Sequence, residues 1–174
     1  MISKFLLSLS FIFCCSCNRN NQVELVEPLF NSHISFYKPE SFALMDSGFV
    51  PTDNPSDRVF QYFYKDSLSK STISLAIKSN DYKVSSLDSL LKINLINIKS
   101  NYFNTRIENA EVRSINSHEF GFIRHHPDTN RNSYTLFLFT ISNSKLFLIS
   151  INTKGSTSKV DEEINKIIAS LSVK

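Results

Sequence analysis

The segment Leu136-Phe137-Leu138-Phe139-Thr140-Ile141 constrains the fold more than any other part of this chain. Side chains alternate across a strand, so Phe137, Phe139 and Ile141 share one face, and Leu136, Leu138 and Thr140 the other. Both faces are apolar. Such a strand belongs in the middle of a sheet that is covered on both sides, because otherwise a row of large side chains would face water. The chain must therefore supply a sheet and at least two covering layers. With 174 residues it can build one domain that buries most of its surface.

Periodicity places the other elements. Ile107 to Ile115, Glu119 to Arg124, Tyr134 to Thr140 and Leu146 to Ile151 read as four consecutive strands. Asn116-Ser117, Pro127 to Asn132 and Ser142-Asn143-Ser144 supply the turns between them. Val59 to Tyr64 and Thr72 to Ile77 form an earlier antiparallel pair, after a loop from Val50 to Asp57. Ile34 to Tyr37 is a short strand that ends at Lys38-Pro39, with Phe42 and Leu44 continuing a hairpin-like segment.

Two stretches carry helical spacing instead. Leu87, Leu90, Leu91, Leu95 and Ile98 form one stripe, with Ser85 or Ser86 as its cap and Asp88 near the positive end of the dipole. Val160, Ile164, Ile167, Ile168 and Leu171 form the other, with Asp161-Glu162-Glu163 in its first turn and Lys174 at its end. Strands, a helix, a run of strands and a final helix make an α+β chain.

The N-terminus concerns location. Met1-Ile2-Ser3-Lys4 is a short basic start, Phe5 to Phe13 is apolar, and Cys14-Cys15-Ser16 places small residues before Cys17. That is the layout of a secretory signal peptide. The apolar run is about half of the ~20 residues that span a bilayer. Small residues ending in a cysteine resemble the lipobox of bacterial lipoproteins, although Cys14 stands where Leu is usual. The resemblance implies cleavage before Cys17, acylation of its thiol, and a lipid-anchored protein. All three cysteines lie in this segment, so the mature domain would keep no thiol for a disulfide, a nucleophile or a metal cluster. Asn18 follows the cysteine where Asp would mark inner-membrane retention in some bacteria, which favours the outer membrane, facing the periplasm.

The expected organisation is a cleaved signal peptide over 1–16, a lipidated tether over 17–30 and one domain over 31–174. The signal segment is expected to form a helix with few contacts to the body. A net charge of +3 with scattered basic residues argues against nucleic acid as a partner. Three glycines leave little room for phosphate-cradling loops, and no dinucleotide or Walker fingerprint occurs.

His125-His126-Pro127-Asp128 is the one cluster that looks chemical. Neighbouring residues on a strand point to opposite faces, so both imidazoles would reach one metal only if the strand end relaxed and His118 or Asp128 joined. Polar residues leading into a turn are the plainer reading, and no metal or cofactor is expected. A Ser-His-Asp set is available by count, but no serine sits in a glycine-flanked nucleophile elbow. An enzyme would need His118, His125 or His126 to meet Asp128 or Glu119. The aromatic run Phe60, Tyr62, Phe63 and Tyr64 fills a core built without tryptophan, or lines a groove for a partner or an acyl chain.

The element order and a few local patterns resemble the PsbP-like family, whose fold is shared with a Ran-binding nuclear import factor and with DcrB-type bacterial lipoproteins. The matching pieces are Ile34 to Phe42, the helix from Leu87 to Tyr102, the meander from Ile107 to Ile151, and the closing Ile167-Ile168-Ala169-Ser170-Leu171. Phe42 stands where many relatives have Trp. The resemblance implies an antiparallel sheet of about six or seven strands with helices on its faces. It also implies binding and assembly proteins rather than enzymes, with no catalytic set to transfer. The functional expectation is a non-enzymatic accessory module, anchored to the membrane through Cys17 and serving an envelope protein partner. A carrier or sensor of a small apolar ligand is the alternative, and a hydrolase the third and weakest.

Overall fold

The computed structural model describes residues 29–50, 59–78, 86–127 and 132–174. The expected signal helix and most of the expected tether lie outside these residues, as do Asp128 and most of the loop expected after Val50. Seven strands form one antiparallel sheet: β2 (Phe42–Val50), β3 (Val59–Asp66), β4 (Thr72–Lys78), β5 (Arg106–Ile115), β6 (His118–His126), β7 (Thr135–Ser142) and β8 (Lys145–Asn152). Their spatial order is β2-β3-β4-β8-β7-β6-β5. Three strands run as a meander, the chain then crosses to the far edge through α2 (Leu87–Asn101), and four strands return until β8 meets β4.

β7 is covered on both faces, as its composition demands: Leu138 and Phe139 are adjacent and both fully buried. On one side Leu136 and Leu138 join Ile73, Leu75, Ile149 and Ile151 beneath α3 (Ser158–Ser170), which inserts Ile164, Ile167 and Ile168. On the other, Phe139 and Ile123 pack with Leu90 of α2 and its partly buried Leu87, Leu91, Leu95 and Ile98. Each helix begins on a side-chain cap. The Ser86 Oγ accepts from the Ser89 amide at 3.2 Å, and the Thr157 Oγ1 from the Val160 amide at 3.3 Å.

The β5–β6 and β7–β8 turns are two-residue loops with positive φ at both positions, Asn116-Ser117 and Asn143-Ser144. That backbone matches the strand twist, and asparagine tolerates it well. Asn116 also caps a helix at long range: its Nδ2 donates to the Ala169 and Leu171 carbonyls, each at 2.8 Å, where α3 runs out of internal donors.

Three local expectations are corrected. Ile34 to Tyr37 does not form a hairpin with Phe42. Its strand β1 is only Ile34–Ser35, and it pairs outside the main sheet with β9 (Ser172–Val173). Lys174 is accordingly not in the last turn of α3, which ends at Ser170; its amide donates to the His33 carbonyl at 3.0 Å. Leu29, placed in the tether by sequence, is 5% exposed in the short helix α1 (Leu29–Ser32) and belongs to the α3-side core.

Gly121 shows how tightly the α2 side is filled. It pairs with Phe139 across the β6–β7 ladder, and a Cβ on Gly121 would fall within the Phe139 ring. Gly121→Ala should therefore cost about 1–3 kcal/mol through overpacking. Adding Phe139→Leu should return part of that loss. Urea midpoints of the single and double variants test this, and an unchanged midpoint for Gly121→Ala would contradict the packing described.

Candidate functional site

The α3 side of the sheet is apolar under the helix and becomes charged at the edge, where β5 and β6 extend beyond it. On β6, Phe120, Phe122, Arg124 and His126 alternate onto this face. On β5 the register shifts between Ile107 and Asn109, so two residues oppose one partner. This bulge turns Glu108 onto the same face as Asn109, whereas Ile107 keeps its place against α2. A groove of about 340 Å³ results, with Glu108, Arg113 and Arg124 along one wall and Asp161, Asn165 and Ile168 of α3 along the other.

Both arginines stand over aromatic rings. The Arg113 guanidinium carbon is 3.4 Å from the Phe122 centroid, and that of Arg124 is 3.9 Å from the Tyr134 centroid. Cation–π contact and apolar stem burial hold these guanidiniums in place. Arg124 is also paired: its Nε lies 3.1 Å from Glu108 Oε2, near enough for an ion pair though not aligned as a hydrogen bond. Arg113 is less well served. Glu111 approaches it only to 3.8 Å, and its Nε is buried without a hydrogen-bond partner. Burial lowers the Arg113 pKa, against the opposing pull of Glu111.

His126 connects this wall to the interior. Its Nε2 lies 2.8 Å from Glu108 Oε2, and its Nδ1 lies 2.9 Å from the Ser133 carbonyl. Across the groove the Tyr134 hydroxyl donates to Asp161 Oδ1 at 2.6 Å, and the Ser156 hydroxyl donates to the same oxygen at 2.7 Å. Burial and then this bond to Asp161 raise the Tyr134 pKa, so the phenol stays a proton donor. The network links β5, β6, the residues just before β7 and the first turn of α3.

The structure separates the histidines that sequence grouped. His125 faces α2, where its ring lies 5.6 Å from that of Tyr102. The Thr105 hydroxyl lies 3.0 Å from His125 Nδ1 and 3.1 Å from the His126 carbonyl. A carbonyl only accepts, so the Thr105 proton goes there and His125 Nδ1 carries the hydrogen toward Thr105. His118 begins β6 while His126 ends it, roughly 25 Å away at the usual strand rise. The carboxylate that meets His126 is Glu108, not Glu119, whose side chain is exposed; Asp128 lies outside the described residues. Among the described residues no three His, Cys, Asp or Glu side chains converge as a metal site. Cys17 also lies outside them.

A second concavity, about 470 Å³, lies between the β3–β4 turn and the start of α3. Phe42, Leu68, Val160 and Ile164 form its apolar wall, and Lys70, Lys154 and Lys159 stand on its rim. Asp66 organises the turn by accepting from the Leu68 amide at 3.1 Å and the Ser69 amide at 2.9 Å. Burial works against its charge, but these bonds and the Ser69 hydroxyl outweigh it and hold the carboxyl below its usual range.

The fold is PsbP-like. Among solved structures the chain is similar to cyanobacterial PsbP from Synechocystis sp. PCC 6803, with a TM-score of 0.60. That match covers 91% of this chain and 98% of the other at 14% sequence identity, and at that identity it is a likeness of fold. No protein-family model and no curated protein sequence matches the chain.

The buried His125 makes a pH prediction. Burial, then the neighbouring His126, lowers its folded-state pKa from about 6.5. The unfolded chain therefore binds this proton first as pH falls. His125 should leave stability intact above about pH 6.5 and reduce it below, by up to about 1.4 kcal/mol per pH unit until the folded state also protonates. Urea unfolding between pH 8 and 5 should show a shallower pH dependence for His125→Gln than for wild type. Parallel curves would refute the assignment.

Proposed function

We propose that the protein is a non-enzymatic binding module, held at the cell-envelope membrane by a lipid on Cys17, that engages an acidic segment of an envelope protein through the groove between α3 and β5. The observation that carries this reading is Arg113. A guanidinium fixed on Phe122, only distantly paired and with a buried unsatisfied Nε, has donors to give to a carboxylate or phosphate that brings its own fork. Tethering would raise the local concentration of such partners without strong intrinsic affinity. The order basic start, apolar run, small residues and Cys17 supports the anchor, and Asn18 supports the outer membrane. No helix among the described residues is long and apolar enough to cross a membrane.

Two measurements test the parts separately. Intact mass of the protein purified from its host's membranes should show loss of residues 1–16 and a diacyl or triacyl increment, both absent from Cys17→Ala. An unmodified mature chain would remove the anchor. A photo-crosslinking side chain at Asn165, beside the groove, should capture a discrete envelope protein in cells, and Arg113→Glu should reduce that product at least about tenfold. A product insensitive to Arg113→Glu would remove the groove from the function.

The cleft bounded by Phe42, Leu68, Val160 and Ile164 favours a second reading, carriage of a small ligand with an apolar body and an anionic end. Saturable binding of a fluorescent fatty acid, abolished by Val160→Glu and unaffected by Arg113→Glu, would favour the carrier over the assembly module.

A further inference from the structure

The helix α2 is apolar on two opposite sides, and among the described residues only one of them is packed. Leu87, Leu90, Leu91, Leu95 and Ile98 face the sheet. Ile93 and Ile96 lie on the outward side and are 53% and 64% exposed. A helix on a sheet surface ordinarily turns polar residues outward, so an outward pair of isoleucines lacks a partner among the described residues. The chain that follows extends the patch. The turn after α2, closed by the Thr105 amide on the Tyr102 carbonyl at 3.1 Å, presents Phe103 at 98% exposure beside Tyr102 at 47%. Phe103 is therefore a phenyl ring projected from a hydrogen-bonded turn and not a frayed end. Lys92 and Lys99 are exposed on the same helix, and its only acidic residue, Asp88, is confined to the first turn, far from Phe103.

Outward isoleucines, a projecting phenylalanine and flanking lysines fit one kind of surface: an anionic lipid headgroup layer over hydrocarbon. Aliphatic and aromatic side chains enter the acyl boundary there, while lysines reach back to lipid phosphates. The lysines alone would also suit an acidic protein helix, but it is the exposed phenyl ring of Phe103, past the end of α2, that favours a lipid surface.

From this arrangement we infer that the outward face of α2 and the Tyr102-Phe103 turn rest on an anionic membrane surface, with Phe103 as the inserted side chain. The contact deepens the proposed function by fixing which side of the domain meets the membrane. It rests on exposure and charge and does not require the lipid on Cys17.

The chain contains no tryptophan, so a single reporter can be read without background. The full chain carrying Phe103→Trp is mixed with vesicles of phosphatidylglycerol and phosphatidylcholine whose acyl chains are brominated near the headgroup. Leu68→Trp, at a side chain 79% exposed on the opposite side of the sheet, serves as the comparison. The expected result is a blue shift and strong bromine quenching for Trp at 103 and neither at 68. In the Phe103→Trp background, Ile93→Ser with Ile96→Ser should weaken the vesicle-dependent shift at least about tenfold. Lys92→Gln with Lys99→Gln should weaken it mainly at low salt. An unshifted Trp at 103 would overturn the inference, and so would equal quenching at both positions. A blue shift that grows with protein concentration without vesicles would replace the membrane by a second copy of this chain. Mass spectrometry of Cys17 reports separately on the anchor, so failure of one does not imitate failure of the other.

Discussion

One strand pairing makes a single domain of two meanders. β4 and β8 align from Thr72 opposite Asn152 to Lys78 opposite Leu146, joining the β2-β3-β4 half to the β5-β6-β7-β8 half. The loop closed by this seam includes α2 and β5 to β7. α3 lies over that seam: Ile164 and Ile167 share a core cluster with Ile73 and Leu75 of β4 and with Ile149 and Ile151 of β8. The seam therefore depends on the last helix of the chain as well as on its ladder. Pairings this distant must overcome loop-closure entropy before they gain burial, which makes the fold a slow one by topology. The β1–β9 pair and the Asn116 side chain then fasten the C-terminal end of α3, the element that covers the seam.

The same geometry explains why the charged groove lies where it does. A helix of 13 residues is about 20 Å long and cannot cover a seven-strand sheet. Centred on the seam, α3 leaves the β5–β6 edge open on its own side. Arginine suits such a border, because its stem can lie on Phe122 or Tyr134 while the guanidinium meets solvent or a ligand. The carboxylates there have structural duties. Glu108 serves Arg124 and His126, and Asp161 accepts from Tyr134 and Ser156. Arg113 is left as the group with unmet capacity. Its Nε is buried without a hydrogen-bond partner, which costs stability where it stands.

Much of the fold was legible because it rests on periodicity. The two-faced strand β7, both long helices, the cap at Ser86 and the turns at Asn116-Ser117 and Asn143-Ser144 all follow from local residue patterns. β1 and β9 were not, since two-residue strands carry no period and exist only because the chain ends meet in space. The candidate groove was almost invisible for the same reason. His126 stood out as part of a histidine pair, but its partner Glu108 is brought to it by a bulge, and bulges have no reliable local signature here. Arg113 and Phe122 are nine residues apart in sequence and become neighbours only through the β5–β6 register. The one signal that could have been read is alternation: once β6 was placed, Phe120, Phe122, Arg124 and His126 had to share a face, with two polar side chains ending an apolar row.

The two surfaces left open among the described residues differ in kind and lie on opposite sides of the sheet. The α2 side offers aliphatic and aromatic side chains flanked by lysine, whereas the α3 side offers guanidiniums set among carboxylates. With the α2 face on a membrane, the groove opens away from it, toward proteins in the adjoining aqueous space. The tether is compatible with that orientation even though the described chain begins at Leu29 on the α3 side. Roughly a dozen residues separate Cys17 from Leu29, a contour of about 40 Å when extended. Crossing a helix, a sheet and a second helix requires about 30 Å at ordinary layer thickness. If Cys17 carries the proposed lipid, that contour exceeds the thickness of the domain, so the anchor and the α2 contact can coexist when the chain passes round a sheet edge. A tether half as long could not span the domain, and would force the α3 side, with its arginine groove, down onto the headgroups.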